Sequence, residues 1–206
     1  MFENHVFLRE DQDDIPATEF LPHSERHELG SHIDRLVIPG LLKSIAGTGD
    51  RHIIRLSANS LLDFSFPSWF QHQTKELGAQ GSQLIIQIPA DLAVSNTRQC
   101  QRLINDLKPG GVGFSLDEFG ASNRHFELLD MLDIELVRLS SGLSESLKSN
   151  TSNQDKIKNI AQAAAKVGAM VVAGNVQDTA DMATLWQCGV KLVCGDFLSE
   201  PLQING

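Results

Sequence analysis

Two adjacent carboxylates, Asp117 and Glu118, follow the apolar run GVGFSL, and arginines fall in three other apolar runs: Arg9 in HVFLR, Arg55 in HIIRLS and Arg138 in IELVRLS. Paired carboxylates at such a place offer oxygen ligands to a hard cation. Alternatively they pair with Arg55 or Arg138 and hold the ends of the runs together. A guanidinium stays charged and grips a phosphate through two parallel N–H bonds. At a strand end it serves equally in solvent or in a salt bridge. Asp34 falls in the first turns of a helix pattern, where the helix dipole favours a carboxylate whatever else it does. His23 and His27 stand four apart on a helix pattern, but no third ligand is near, so zinc is not expected. His5, on an apolar run, reads as a satisfied core histidine. No Ser/His/Asp or Cys/His signature is present.

These residues need elements to hold them. Seven short apolar runs cover 5–9, 52–57, 83–89, 111–116, 134–140, 169–176 and 191–197, each bounded by Gly, Pro or polar residues, as buried parallel strands are. Helix patterns lie between them. Residues 31–46 start at Ser31, an N-cap, and put Ile33, Leu36, Val37 and Leu41 on one face. Residues 67–78 end at Gly78, and residues 96–108 carry Leu103, Ile104 and Leu107 and stop at Pro109. Residues 153–167 carry Ile157, Ile160 and Ala164 before Gly168, and residues 179–188 carry Met182, Leu185 and Trp186. This alternation implies a parallel α/β sheet, which a doubly wound fold and a barrel both satisfy. No GxGxxG or P-loop marks a nucleotide-binding doubly wound fold.

The bulk numbers narrow the function classes. The 206 residues are 41% hydrophobic and 21% charged, a globular composition of single-domain length, so residues 1–206 are expected to form one domain. A net charge of −9 with no basic run argues against nucleic acid, while a small anion would need a locally positive pocket. The three cysteines show no framework spacing, which suits a reducing cytosol. No apolar run approaches the ~20 residues of a membrane span, and no signal peptide is visible.

Three stretches resemble the EAL-domain family, the phosphodiesterases of cyclic di-GMP: LDEFGASNRHFELLDMLDIELVRLS (116–140), AMVVAGNVQDTADMATLWQCGVKLVCGDFLSEPL (169–202) and ATEFLPHSERHELGSHIDRLV (17–37). With RLSANSL (55–61) the likeness covers nearly the whole chain in the family's order. The resemblance implies a TIM-like (β/α) barrel with its site at the C-terminal strand ends. A closed barrel has eight strands, so the count implies that the family's first strand is absent. The family's catalytic carboxylates hold two divalent metals. On this chain the signature Glu falls at His5, the metal-binding Asn at Arg55, the next Glu at Gln87, the strand lysine at Arg138, the late Glu at Gly174, a further Glu at Gln177 and the closing Gln at Cys194. Only the acidic pair, Asp117 and Glu118, survives.

Lost carboxylates and a gained Arg55 disfavour metals electrostatically, so the expectation is a degenerate, non-catalytic EAL domain with no metal or other cofactor. The resemblance retains Arg9 for a ligand phosphate, Asp34 for a guanine edge, and Phe197 and Pro201 for an apolar wall. Arg55 and Arg138 would supply the positive charge, with Asp117 and Glu118 beside them. It therefore implies a FimX-like cytoplasmic bacterial receptor of cyclic di-GMP that signals to a protein partner, a PilZ-type adaptor among the candidates. The loop GASNRHF (120–126) departs from the family's glycine-rich dimerisation loop, so family-type dimerisation is not expected. The alternatives are a protein-interaction scaffold that binds no nucleotide and a weak phosphodiesterase. Pairing of both Arg55 and Arg138 with Asp117 and Glu118 would seal the pocket and favour the scaffold.

Overall fold

The structure is a computed structural model that describes residues 1–10, 13–144, 147, 150–174, 176 and 179–195. Its elements in order are β1 (Phe2–Asn4), β2 (Phe7–Glu10), β3 (Asp13–Pro16), α1 (Ala17–Arg26), α2 (Gly30–Ile45), β4 (His52–Arg55), α3 (Ala58–Leu62), α4 (Phe66–Glu76), β5 (Leu84–Pro89), α5 (Ala90–Ser95), α6 (Thr97–Leu107), β6 (Gly113–Phe119), α7 (His125–Met131), β7 (Leu136–Leu139), α8 (Ser141–Ser144), α9 (Thr151–Lys166), β8 (Met170–Ala173), α10 (Thr179–Gln187) and β9 (Leu192–Val193). One sheet has the order β1-β4-β5-β6-β7-β8-β9, and its strand order follows the chain. The pairs β1–β4, β4–β5, β6–β7, β7–β8 and β8–β9 are parallel. Short helices separate these strands, as parallel connections demand.

The first sheet strand differs from expectation. It is Phe2–Asn4, whereas Phe7–Glu10 pairs antiparallel with Asp13–Pro16 in a separate hairpin. The apolar residues of HVFLR do not mark a buried strand: Phe7 and Leu8 are exposed on the hairpin, and Arg9 faces its cross-strand partner Asp14. His5 lies just past the end of β1 and is exposed, not in a core.

Contacts divide the described chain into two compact units. The first spans Met1–Ile88 with Arg98–Gly113. Here α2 packs on α3 and α4. Its buried face is Gly30, Asp34, Ile38, Leu42 and Ile45 rather than the apolar stripe read from the sequence, and Leu36 is 80% exposed. Leu29, not Ser31, occupies the N-cap position. A Cβ on Gly30 would sit 2.8 Å from the Cβ of Ser57, so only glycine lets the two segments come this close. That contact fixes which stripe faces inward and brings a carboxylate with it. In the same unit α4 ends ahead of Gly78, whose φ of 72° takes the left-handed C-terminal turn.

Among the described residues the second unit comprises Pro89–Thr97 and the stretch from Phe114 to Gly195. Its buried strands β6, β7 and β8 are apolar throughout most of their length. Helix α9 buries Ile157, Ile160 and Ala164 and packs on β8. Trp186 of α10, placed on the apolar face by spacing, is exposed, while Leu185 is buried. No described helix is long and apolar enough to cross a membrane.

Candidate ligand site

In the first unit the ends of β4 and β5 lie side by side with Arg55 and Gln87 as register partners. In a parallel pair, partners project from the same face of the sheet. Arg55 is exposed and has no hydrogen-bond or carboxylate partner among the described residues. Gln87 is 3% exposed, and its side-chain Nε2 has no hydrogen-bond partner among them. A buried amide donor without an acceptor costs about 1–3 kcal/mol. The two strand ends thus offer adjacent donors and little to accept them.

Next to Arg55 is a cavity of about 240 Å³ lined by Ala17, Thr18, Leu21, Pro22, Glu25, Arg55, Leu56 and Ser57. Its apolar wall comes from α1. Its polar edge is Ser57, which caps α3 by accepting the Ser60 N–H at 3.2 Å. Glu25 Oε1 accepts the Ala58 N–H at 3.0 Å. Behind Ser57, Asp34 Oδ2 accepts both the Ser57 N–H at 3.1 Å and the Ser57 hydroxyl at 2.6 Å. Burial pushes the Asp34 carboxyl up, and the Ser57 hydrogen bonds only partly oppose this. Asp34 is therefore turned toward the protein and is not part of the cavity wall. Arg9 stands apart from that wall as well: it is exposed on β2 and holds Asp14 through Nε–Oδ1 at 2.9 Å and Nη2–Oδ2 at 3.3 Å.

In the second unit the acidic pair stands near the end of β6, just before Phe119. Arg138 Nη1 on β7 donates to Asp117 Oδ1 at 3.4 Å. Glu118 takes a positive φ of 51° where the β6–β7 register shifts, and its carboxylate accepts the Ser141 N–H at 3.3 Å. A non-glycine residue there is strained. Glu118, Arg138, Leu139, Ser141 and Gly174 line a hollow of about 50 Å³. A Cβ on residue 174 would lie 2.6 Å from Arg138 Nη2. The sealing arrangement is thus half met: Arg138 pairs with Asp117, whereas Arg55 pairs with no carboxylate among the described residues.

Just past the pair, His125 is completely buried. Its Nδ1 accepts the Gly120 N–H at 3.1 Å, which puts the ring proton on Nε2, 2.8 Å from Asp91 Oδ1. Sequence reading missed this link, because Asp91 and His125 are far apart in the chain and on different helices. It also missed Glu25, whose only local sign is a carboxylate late in α1. Among the described residues no three His, Cys, Asp or Glu side chains converge as a metal ion needs. The Phe197 and Pro201 wall and Gln177 lie outside the described residues.

Parallel strands in chain order, helices between them and polar residues gathered past the strand ends define a protein of the TIM-like (β/α)-barrel class. Within that class the chain belongs to the EAL domain family, which it matches over residues 5–201. The FimX EAL domain from Pseudomonas aeruginosa bound to c-di-GMP has the same fold, with a TM-score of 0.91 at 25% identity over 97% of this chain and 82% of that one. The Xanthomonas citri FimX EAL domain in complex with c-diGMP aligns with a TM-score of 0.89 at 23% identity, over 99% of this chain and 83% of that one. Among curated proteins of Escherichia coli K12, the RNase E specificity factor CsrD is 26% identical over 200 residues, 94% of this chain. The cyclic di-GMP phosphodiesterase PdeF is 23% identical over 206 residues, 96% of this chain. This chain spans 30% of the length of CsrD and 28% of PdeF.

Proposed function

We propose that residues 1–206 act as one degenerate EAL domain that binds cyclic di-GMP without metal, does not hydrolyse it, and passes the signal to a protein partner in the bacterial cytoplasm. The observation that carries the reading is the pair Arg55 and Gln87. The resemblance puts a metal-binding Asn and Glu at these two positions. Here one is a cation and the other an amide whose donor has no partner among the described residues. Two divalent ions do not fit such a set, because a guanidinium repels them and hard cations need anionic oxygens. A phosphodiester fits it, since its oxygens accept from both donors. The FimX EAL domains, bound to c-di-GMP in their own structures, support the choice of ligand. A PilZ-type adaptor is the partner the resemblance suggests.

The second reading is a scaffold that binds no nucleotide. It is favoured by the Arg138–Asp117 pair, which fills its end of β6 and β7 without a ligand. The two readings are separated by thermal unfolding with and without cyclic di-GMP in EDTA. A ligand-dependent rise in Tm that Arg55→Ala abolishes supports the receptor; an unchanged Tm at saturating ligand supports the scaffold. Chromatography of cyclic di-GMP incubated with the protein and magnesium or manganese tests hydrolysis. Intact ligand is the expected result, and conversion that EDTA stops would contradict it.

A further inference from the structure

We infer that the outer ridge of α6 and the loop between α3 and α4 form a docking surface for a second copy of this chain, paired about a two-fold axis. The surface centres on Phe64, which is 80% exposed. Its loop is pinned. Asp63 Oδ2 accepts from Arg35 Nη2 at 2.8 Å, and Asp63 Oδ1 accepts the Ser65 N–H and hydroxyl, each at 2.8 Å. Arg35 also donates to the Ser65 hydroxyl at 2.8 Å. Arg102 of α6 stacks on the Phe64 ring, its guanidinium carbon 3.9 Å from the centroid, and points Nη2 at the Leu61 and Asp63 carbonyls. Its Nε and Nη1 are shielded from solvent and have no hydrogen-bond partner among the described residues. Leu62, two residues before Phe64, is exposed as well. A single exposed apolar side chain is ordinary. A phenyl ring fixed in the open against a guanidinium is the kind of pre-organised anchor that interfaces use.

The charges say what covers it. Arg98 and Asp106 are exposed on α6, and neither has an ion-pair partner among the described residues. They lie one turn before and one turn after Arg102, on the same ridge of the helix. At 1.5 Å per residue they stand roughly 12 Å apart, too far to pair with each other. Arg102, the neighbour with which Asp106 would otherwise pair, is turned to Phe64. A two-fold axis through the Phe64–Arg102 stack lays a second α6 antiparallel to the first. Arg98 of each copy then faces the partner's Asp106, and the two phenyl rings meet at the centre. An isologous interface needs such a self-complementary patch, with both signs of charge placed symmetrically about its middle. A basic partner would leave Arg98 opposed and an acidic one Asp106, whereas a second copy satisfies both. The surface belongs to the first unit and shares no residue with the loop 120–126. It does not rest on the cyclic di-GMP reading, since Arg55 and Gln87 take no part in it.

The test is analytical ultracentrifugation of the full chain and its variants over a range of concentrations. The patch is small, so the dimer is expected to be reversible and to dominate by about 100 μM. Phe64→Ser should stay monomeric over the same range. Arg98→Asp and Asp106→Arg should each weaken association about tenfold or more, because each sets like charges face to face twice. The combination Arg98→Asp/Asp106→Arg should restore it. Asp106→Arg is informative by itself. The chain carries a net charge of −9, so this variant lowers the general repulsion between copies and would associate more strongly if overall charge alone were at work. Melting curves report that the variants remain folded, as substitutions at exposed positions should. A chain that stays monomeric at every concentration overturns the inference. So does a dimer that Phe64→Ser and the single charge reversals leave unchanged, and so does a combined reversal that restores nothing.

Discussion

Arg138 and Gly174 share one volume: the guanidinium Nη2 sits 2.6 Å from where a Cβ on residue 174 would be. A side chain at 174 and the present position of Arg138 exclude each other. The family resemblance puts a lysine at position 138 and a carboxylate at position 174, so the glycine here leaves the volume that the guanidinium occupies. The consequence is local. With no side chain at 174, Arg138 swings in and neutralises Asp117, which is 3% exposed.

Arg138→Ala leaves Asp117 buried without its counter-ion. The expected loss of stability is about 2 kcal/mol, below the range for fully buried pairs because Arg138 keeps some solvent contact. Urea unfolding of the variant against Arg138→Ala/Asp117→Asn measures it, and the double variant should recover most of the loss.

Asp34 sets a pH dependence. Its carboxyl is held above 3.8, mainly by burial, so the folded state binds a proton more tightly than the unfolded one. Stability from this group is complete below pH 3.8 and is lost as pH rises through the raised value. Asp34→Asn keeps an acceptor for Ser57 and removes the buried charge. It should melt higher than the unaltered chain at pH 7, with the difference closing at pH 3.

His52 acts on the opposite side. Burial lowers its pKa from 6.5, and its ring stacks on Phe2 at 5.3 Å between centroids. Its contribution is complete above pH 6.5 and is lost as pH falls through the lowered value. His52→Phe keeps an aromatic ring against Phe2 and cannot be protonated. Melting curves at pH 7.5 and pH 5 should show a smaller drop in the variant than in the unaltered chain.

Glu118 holds a left-handed backbone at φ 51°. Glycine removes that strain, and Glu118→Gly should stabilise the chain by about 1 kcal/mol or less, since glycine also loses more entropy on folding and the Ser141 contact is forfeited. Chemical denaturation reads this directly.

Much of the fold was legible because parallel strands announce themselves as apolar runs and because glycines such as Gly78 and Gly168 end helices where a left-handed turn is needed. The N-terminus was misread for a physical reason. HVFLR is apolar enough for a core strand, but tertiary pairing places Phe2–Asn4 in the sheet and leaves Phe7 and Leu8 exposed on a hairpin. The face of α2 was misread because its buried stripe contains Asp34, and a period count that rewards apolar residues skips a carboxylate.

The candidate site was legible only where the family pattern could be laid on single positions. That identified Arg55, Arg138, Asp117 and Glu118 as the residues to examine, yet pairing is a matter of side-chain reach. Spacing could not tell that Arg138 takes Asp117 while Arg55 takes no carboxylate, nor that Arg9 would be engaged by Asp14. Glu25 was invisible for the same reason: it enters the cavity through the way α1 packs beside the end of β4.

The most direct test of the central claim is isothermal titration of cyclic di-GMP into the chain in EDTA, repeated with Arg55→Ala and Gln87→Ala. The account predicts micromolar or tighter binding without metal, weakened in both variants. Binding that appears only when magnesium or calcium is added, or that survives both substitutions unchanged, would contradict it.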